Sequence, residues 1–189
     1  VFIGGGTPTL LDADRLARLL ALLTQAMDGS RLREFTVEAN PNTFDAARAR
    51  VLAAAGVNRI SFGAQSFVAA ELATLQRDHD PAAVPAAFAT ARAAGITNLN
   101  TDLIFGIPGQ TLATWEYSLA QALALGSSHL SCYSLTYEPN TAMTARMKRG
   151  EFVPLDEDTE LAMFEHVYAR LRGAGFVRYE VSNYALPGC

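Results

Sequence analysis

Val1-Phe2-Ile3-Gly4-Gly5-Gly6-Thr7-Pro8 opens the chain: a short apolar run delivered straight into three glycines, a threonine and a proline. Consecutive glycines leave backbone N–H and C=O groups with no side chain in front of them, so a ligand can lie against the main chain itself. The run lacks the Lys-Ser/Thr of a phosphate loop and the spaced glycines of a dinucleotide fingerprint, which argues against a nucleotide phosphate. A ligand with amino and carboxylate ends suits it better, because free carbonyls and the Thr7 hydroxyl can receive an ammonium. A tight strand-to-helix connection with no ligand is the plainer reading of the same residues.

Outward from this stretch, strand and helix signals alternate. The spacing predicts strands at Val1–Ile3, Glu34–Glu38, Asn58–Phe62, Asn98–Leu103 and His129–Leu135. Helices are predicted over Asp12–Met27, Asp45–Ala55, Pro81–Ala94, Thr111–Leu125 and Asp156–Gly173, with Arg178–Val181 extended after the last. Asp12 caps the first helix, and Gly56 and Gly95 close two others. Strands alternating with helices of this length imply parallel βαβ units, in a barrel or a doubly wound sheet. Polar residues favour the barrel, because its chemistry sits at strand ends. Gly4–Thr7 follow the first strand, Glu38 ends the second, Gln65 follows the third, Asp102 ends the fourth, and Thr136 and Glu138 follow the fifth. Each has an ordinary alternative: Glu38 as a loop cap, Gln65 as a loop hydrogen-bonder, Asp102 as an Asx turn. Recurrence at every strand end points instead to one convergent mouth.

Composition bounds the rest. The 189 residues are 50% hydrophobic with net charge −4, which is one domain with a real core. Nothing gives an electrostatic footprint for nucleic acid. No run approaches the roughly 20 apolar residues of a membrane span, and no signal peptide is visible. Two cysteines, Cys132 and Cys189, suit a reducing, cytoplasmic setting better than a disulfide framework.

In order, the strings FIGGGTPTLL, TVEANP, RISFGAQSF, LQRDHD, NLNTDLIFGIPGQT, LSCYSLTYEPNT and RYEVSNYALPG resemble the coproporphyrinogen III oxidase-like branch of the radical S-adenosylmethionine superfamily. Arg77-Asp78-His79 and Tyr179-Glu180-Val181-Ser182-Asn183-Tyr184-Ala185 look most like its HemW-like heme chaperones. The resemblance implies a partial (β/α)6 TIM-type barrel. It implies that Gly5, Gly6 and Thr7 receive the methionyl amino group of S-adenosylmethionine, with Glu38 beside the cofactor. Gln65 and Asp102 match the pair on the ribose hydroxyls, Arg77 the partner of the methionyl carboxylate, and Ile104 and Thr136 positions near the adenine. Direct ligand roles for His79, His129 and His166 are not expected; His79 reads equally as an exposed helix-end residue, and Cys132 as a small core residue.

Members of this branch hold a 4Fe–4S cluster on three cysteines spaced C-x3-C-x2-C. That motif does not occur in this sequence. The expectation is an internal fragment of the radical S-adenosylmethionine core, missing its first β/α unit, with a C-terminal region only begun near residues 175–189. A sheet lacking its first strand would expose an unpaired edge. In an active parent, the resemblance implies radical decarboxylation of a porphyrinogen propionate. In the chaperone branch it implies binding heme and passing it to acceptor proteins. A cluster-free binding module and a barrel enzyme using Glu38 and Asp102 as acid and base are the alternatives from other classes.

Overall fold

The alternating signals take shape as an α/β fold. The computed structural model describes residues 1–189, the side chain of Ser30 excepted. In chain order the elements are β1 (Phe2–Ile3), α1 (Ala13–Ala26), β2 (Thr36–Ala39), α2 (Ala46–Ala54), β3 (Arg59–Gln65), α3 (Ala69–Thr74) and α4 (Ala83–Ala93). There follow β4 (Asn98–Phe105), α5 (Leu112–Ala124), β5 (His129–Ser134), α6 (Ala142–Lys148), α7 (Glu157–Gly173), β6 (Val177–Arg178) and β7 (Asn183–Ala185). The strands form an open sheet in the order β1-β2-β3-β4-β5-β7-β6. Ile3 lies opposite Val37, and Val37 opposite Ile60, in parallel register. The end of the chain is antiparallel: Leu130 faces Tyr184, and Arg178 faces Tyr184 on its other side.

Local chemistry sets the helix ends. Asp12, Asp45, Thr111 and Asp156 each accept a hydrogen bond from the backbone N–H three residues on, satisfying a donor the helix leaves open. At the far ends of α2 and α4, Gly56 and Gly95 take φ of +85° and +89°, a conformation a side chain would resist. Glu157, Asp158 and Glu160 fill the first turn of α7, and Arg170 and Arg172 its last; both placements oppose the helix dipole favourably.

The chain divides into two compact units. The first is Val1–Ala64 with Ala82–Thr101. Its core joins Leu16, Leu20, Leu52, Ile60, Phe62 and Phe88, all essentially inaccessible. The Phe62 ring meets Phe44 edge-on at 5.0 Å and Phe88 at 5.2 Å, geometry that aromatic quadrupoles favour. Asn58 locks the entry to β2, accepting from the Phe35 N–H at 2.9 Å and donating to the Arg33 carbonyl at 3.0 Å.

The second unit is Gln65–Pro81 with Asp102–Cys189. Trp115 is its largest fully buried side chain. The indole N–H donates to the Met163 carbonyl at 3.1 Å, tying α5 to α7, and the ring packs on Phe105 at 5.5 Å. Beside it, Glu116 accepts from Arg170 at 3.0 Å and pairs with His166 at 2.6 Å.

Several boundaries differ from the sequence reading. β2 continues one residue past Glu38 to Ala39. Gln65 is the last residue of β3 and not beyond it. Asp102 lies inside β4, three residues before its end, so it is neither a strand terminus nor an Asx turn. The polar run Asn100-Thr101-Asp102 reads locally as a turn, yet Asn100 is buried and donates to Ser61 at 2.6 Å. A neighbouring strand satisfies it. His79 is buried, not an exposed helix end.

Candidate cofactor site

The glycine run after β1 divides by role. A Cβ on Gly4 would stand 2.7 Å from the Glu38 carboxyl carbon and 2.8 Å from the Phe2 ring, closer than atoms tolerate. Gly4 therefore makes room for Glu38. Gly5 and Gly6 face open space, with φ of +87° and +118°. The Gly5 N–H donates to Glu38 Oε2 at 3.2 Å, so the carboxylate holds the bend while the carbonyls beside it stay accessible. Thr7 precedes the 3-10 turn at Pro8–Leu10 without spending its hydroxyl on a cap. Below the bend, Thr9 Oγ1 meets Thr43 Oγ1 at 2.6 Å and receives the Asn40 N–H at 3.3 Å, stitching the loops after β1 and β2 together.

In the second unit, Gln65 takes φ +62°. This left-handed conformation costs a residue with a side chain on the order of 1 kcal/mol and persists only where the surroundings enforce it. Its side-chain amide makes no hydrogen bond among the described residues. Arg77 follows Gln76, another left-handed residue at φ +55°. It is exposed and forms no ion pair among the described residues. Asp102 is half-buried, and its charge reaches Cys132 and Tyr133. Ile104 is half-buried on β4, and Thr136 is exposed just past β5.

Sequence reading missed a buried polar knot behind these residues. Glu71 Oε2 accepts from Ser66 at 2.6 Å and from Gln110 Nε2 at 3.0 Å. Glu71 sits on α3, a six-residue helix with no side-chain cap, too short for periodicity to reveal. A buried acid five residues from a serine and 39 from a glutamine carries no local signal.

The family model of the radical SAM superfamily matches residues 1–122. The chain belongs to the radical SAM superfamily. Among curated proteins, this radical SAM chain is 40% identical to the heme chaperone HemW of Bacillus subtilis (strain 168), covering 100% of the chain and 50% of the relative. It is 41% identical to heme chaperone HemW of Mycobacterium tuberculosis (strain H37Rv) over 188 residues, 48% of that protein. The chain thus spans about half the length of the curated relatives it matches. The solved structure of coproporphyrinogen III oxidase (HemN) from Escherichia coli, a radical SAM enzyme, superposes with TM-score 0.86 at 26% identity. That likeness covers 100% of this chain and 43% of the other. The open seven-stranded sheet is accordingly a partial TIM-type barrel of the radical SAM kind.

The superfamily implies S-adenosylmethionine and a 4Fe–4S cluster, and the residues present answer differently to the two. For S-adenosylmethionine each unit by itself offers suitable groups: open backbone at Gly5 and Gly6 in the first, and in the second an Arg77 guanidinium without an ion pair and a Gln65 amide without a hydrogen bond among the described residues. A zwitterion and a ribose diol need acceptors, a cation and an amide of this sort. For the cluster the residues do not fit. Among the described residues no group of three or more His, Cys, Asp or Glu is placed to hold a metal ion. Cys132 is buried in β5, and burial, with the Asp102 charge adding, pushes its thiol far above the ordinary range. Cys189 is exposed and stands apart as a free cysteine. No helix among the described residues is long and apolar enough to cross a membrane.

Proposed function

We propose that this chain is the S-adenosylmethionine-binding part of a heme chaperone, a cytoplasmic protein that binds heme and transfers it to acceptor proteins. The observation that carries the reading is identity of 40% to heme chaperone HemW along all 189 residues. In this reading the cluster's ligands come from outside the chain, and S-adenosylmethionine, when bound, would supply one-electron radical chemistry.

The chain's own residues bind and orient. The bend at Gly5, Gly6 and Thr7 takes the methionyl amino group on backbone carbonyls and a hydroxyl, and Glu38 keeps that bend in shape. Arg77 pairs with the methionyl carboxylate, a charge-assisted contact. Gln65 and Asp102 hold the ribose hydroxyls. Ile104 and Thr136 would pack near the adenine.

A second reading is an oxygen-independent coproporphyrinogen III oxidase, which decarboxylates propionates to vinyls. Its support is the structural likeness to the Escherichia coli oxidase at TM-score 0.86, with identity of 26% against 40% for the chaperone.

The deciding experiment uses the intact protein, reconstituted anaerobically with iron and sulfide. Heme is titrated in one arm. In the other, coproporphyrinogen III is supplied with S-adenosylmethionine and a reductant. Stoichiometric heme binding without decarboxylation supports the chaperone; decarboxylation overturns it in favour of the oxidase. Neither, with no cluster absorbance, leaves only the fold in common.

A further inference from the structure

Glu71 is 5% exposed, yet it is a carboxylate, and its contacts run to two loops. Oε2 accepts from Ser66 Oγ, the residue directly after Gln65, at 2.6 Å. The same oxygen accepts from Gln110 Nε2 at 3.0 Å. Gln110 in turn reaches the Ile104 carbonyl through Nε2 at 3.4 Å and receives the Ile107 N–H on Oε1 at 3.4 Å. Ser66 Oγ also receives the Val68 N–H at 2.9 Å, and Ser118 Oγ receives the Phe67 N–H at 3.2 Å. Ser66, Gln110 and Ser118 are all buried.

Burying a carboxylate is expensive, and hydrophobic residues could fill the same volume at less cost. What they could not do is grip two loops through one atom. One loop leaves β3 through Gln65 at φ +62°, a conformation that needs its successor pinned. The other follows Ile104 on β4. We propose that Glu71 is a positioning residue for the nucleoside end of S-adenosylmethionine: through Ser66 it fixes Gln65, and through Gln110 it fixes Ile104. This rests on the cofactor reading above and assigns Glu71 no contact with the ligand.

The test measures equilibrium binding of S-adenosylmethionine and of 5′-methylthioadenosine, which lacks the amino-acid end, to the intact protein. Glu71→Ala weakens both ligands by the same factor, about tenfold, since small misplacements of a positioning group are costly. Glu71→Gln keeps an acceptor oxygen for Ser66 and Gln110 and stays within about twofold of wild type. Arg77→Ala is the contrast: it weakens S-adenosylmethionine and spares 5′-methylthioadenosine. If Glu71→Ala fails to fold, Ser66→Ala and Gln110→Ala each remove one donor and weaken 5′-methylthioadenosine by at least about threefold. Unchanged 5′-methylthioadenosine affinity in the folded variants, whatever their melting temperature, overturns the inference while leaving the cofactor reading intact. Wild-type protein that binds neither ligand overturns both.

Discussion

Gly4, Gly5 and Gly6 are adjacent in sequence, but substitution should separate them. Gly4→Ala drives a methyl into the Glu38 carboxylate and the Phe2 ring, at 2.7 and 2.8 Å. Both contacts are movable side-chain ends, the Glu38 carboxylate and the exposed Phe2 ring, so they swing aside at little cost in stability, and the displaced carboxylate releases the Gly5 N–H. The expected outcome is about tenfold weaker S-adenosylmethionine binding with a nearly unchanged melting temperature, read by calorimetric titration and thermal denaturation. Gly5→Ala meets no atom but must hold φ +87°, at about 1 kcal/mol; its loss of stability should be the larger. Equal losses of stability at the two positions would contradict the division of roles. Tracts of Gly-Gly-Gly look uniform on the page, and only the position of Glu38 distinguishes their members.

Helices α5 and α7 are joined by Trp115 on Met163 and by Glu116 between His166 and Arg170. Burial raises the Glu116 carboxyl, but hydrogen bonds from His166 and Arg170 outweigh it and hold the group below the ordinary carboxylate range. A lowered folded value means the stabilisation is fully present above about pH 4.3, the unfolded value. It disappears as pH falls through the folded value. The Glu116 side chain is 37% exposed, so solvent screening limits the gain to about 0.5–1 kcal/mol. Denaturant unfolding of Glu116→Gln should show that deficit at pH 7 and convergence with wild type in strong acid. A deficit independent of pH would point to packing and not charge. Helices were readable from apolar spacing, from the Asp12 cap and from the closing Gly56 and Gly95. The clamp was not, because Glu116 and His166 lie fifty residues apart.

Across the molecule, the two cysteines offer a simple check on the packing. Cys132 is 3% exposed, with its thiol pushed up by burial, while Cys189 is exposed. The thiolate is the reactive form. Alkylation of the native protein at pH 8 should therefore modify Cys189 and spare Cys132 until denaturant is added, as peptide mass spectrometry would show. Rapid native labelling of Cys132 would mean that β5 and β7 are not packed as described. Ligand linkage gives a second measurement on the same scale: a saturating cofactor at 100 times its dissociation constant should stabilise the folded state by about 2.7 kcal/mol. No shift in melting temperature with S-adenosylmethionine would remove the cofactor reading.

Sequence alone determined the alternation of strands and helices, the Asp12 cap that starts the first helix, and the ordered motifs that placed the chain among radical SAM proteins. These are local properties: each follows from side chains a few residues apart, so they survive without knowledge of the fold. Tertiary structure alone decided that β4 runs on past Asp102 to Phe105, that His79 is buried, that Gly4 serves Glu38, and that Glu71 ties Ser66 to Gln110. The last two depend on partners, Glu38 and Gln110, brought near from far along the chain. Burying a polar group without such a partner is costly, and a string of residues does not say which partner that is.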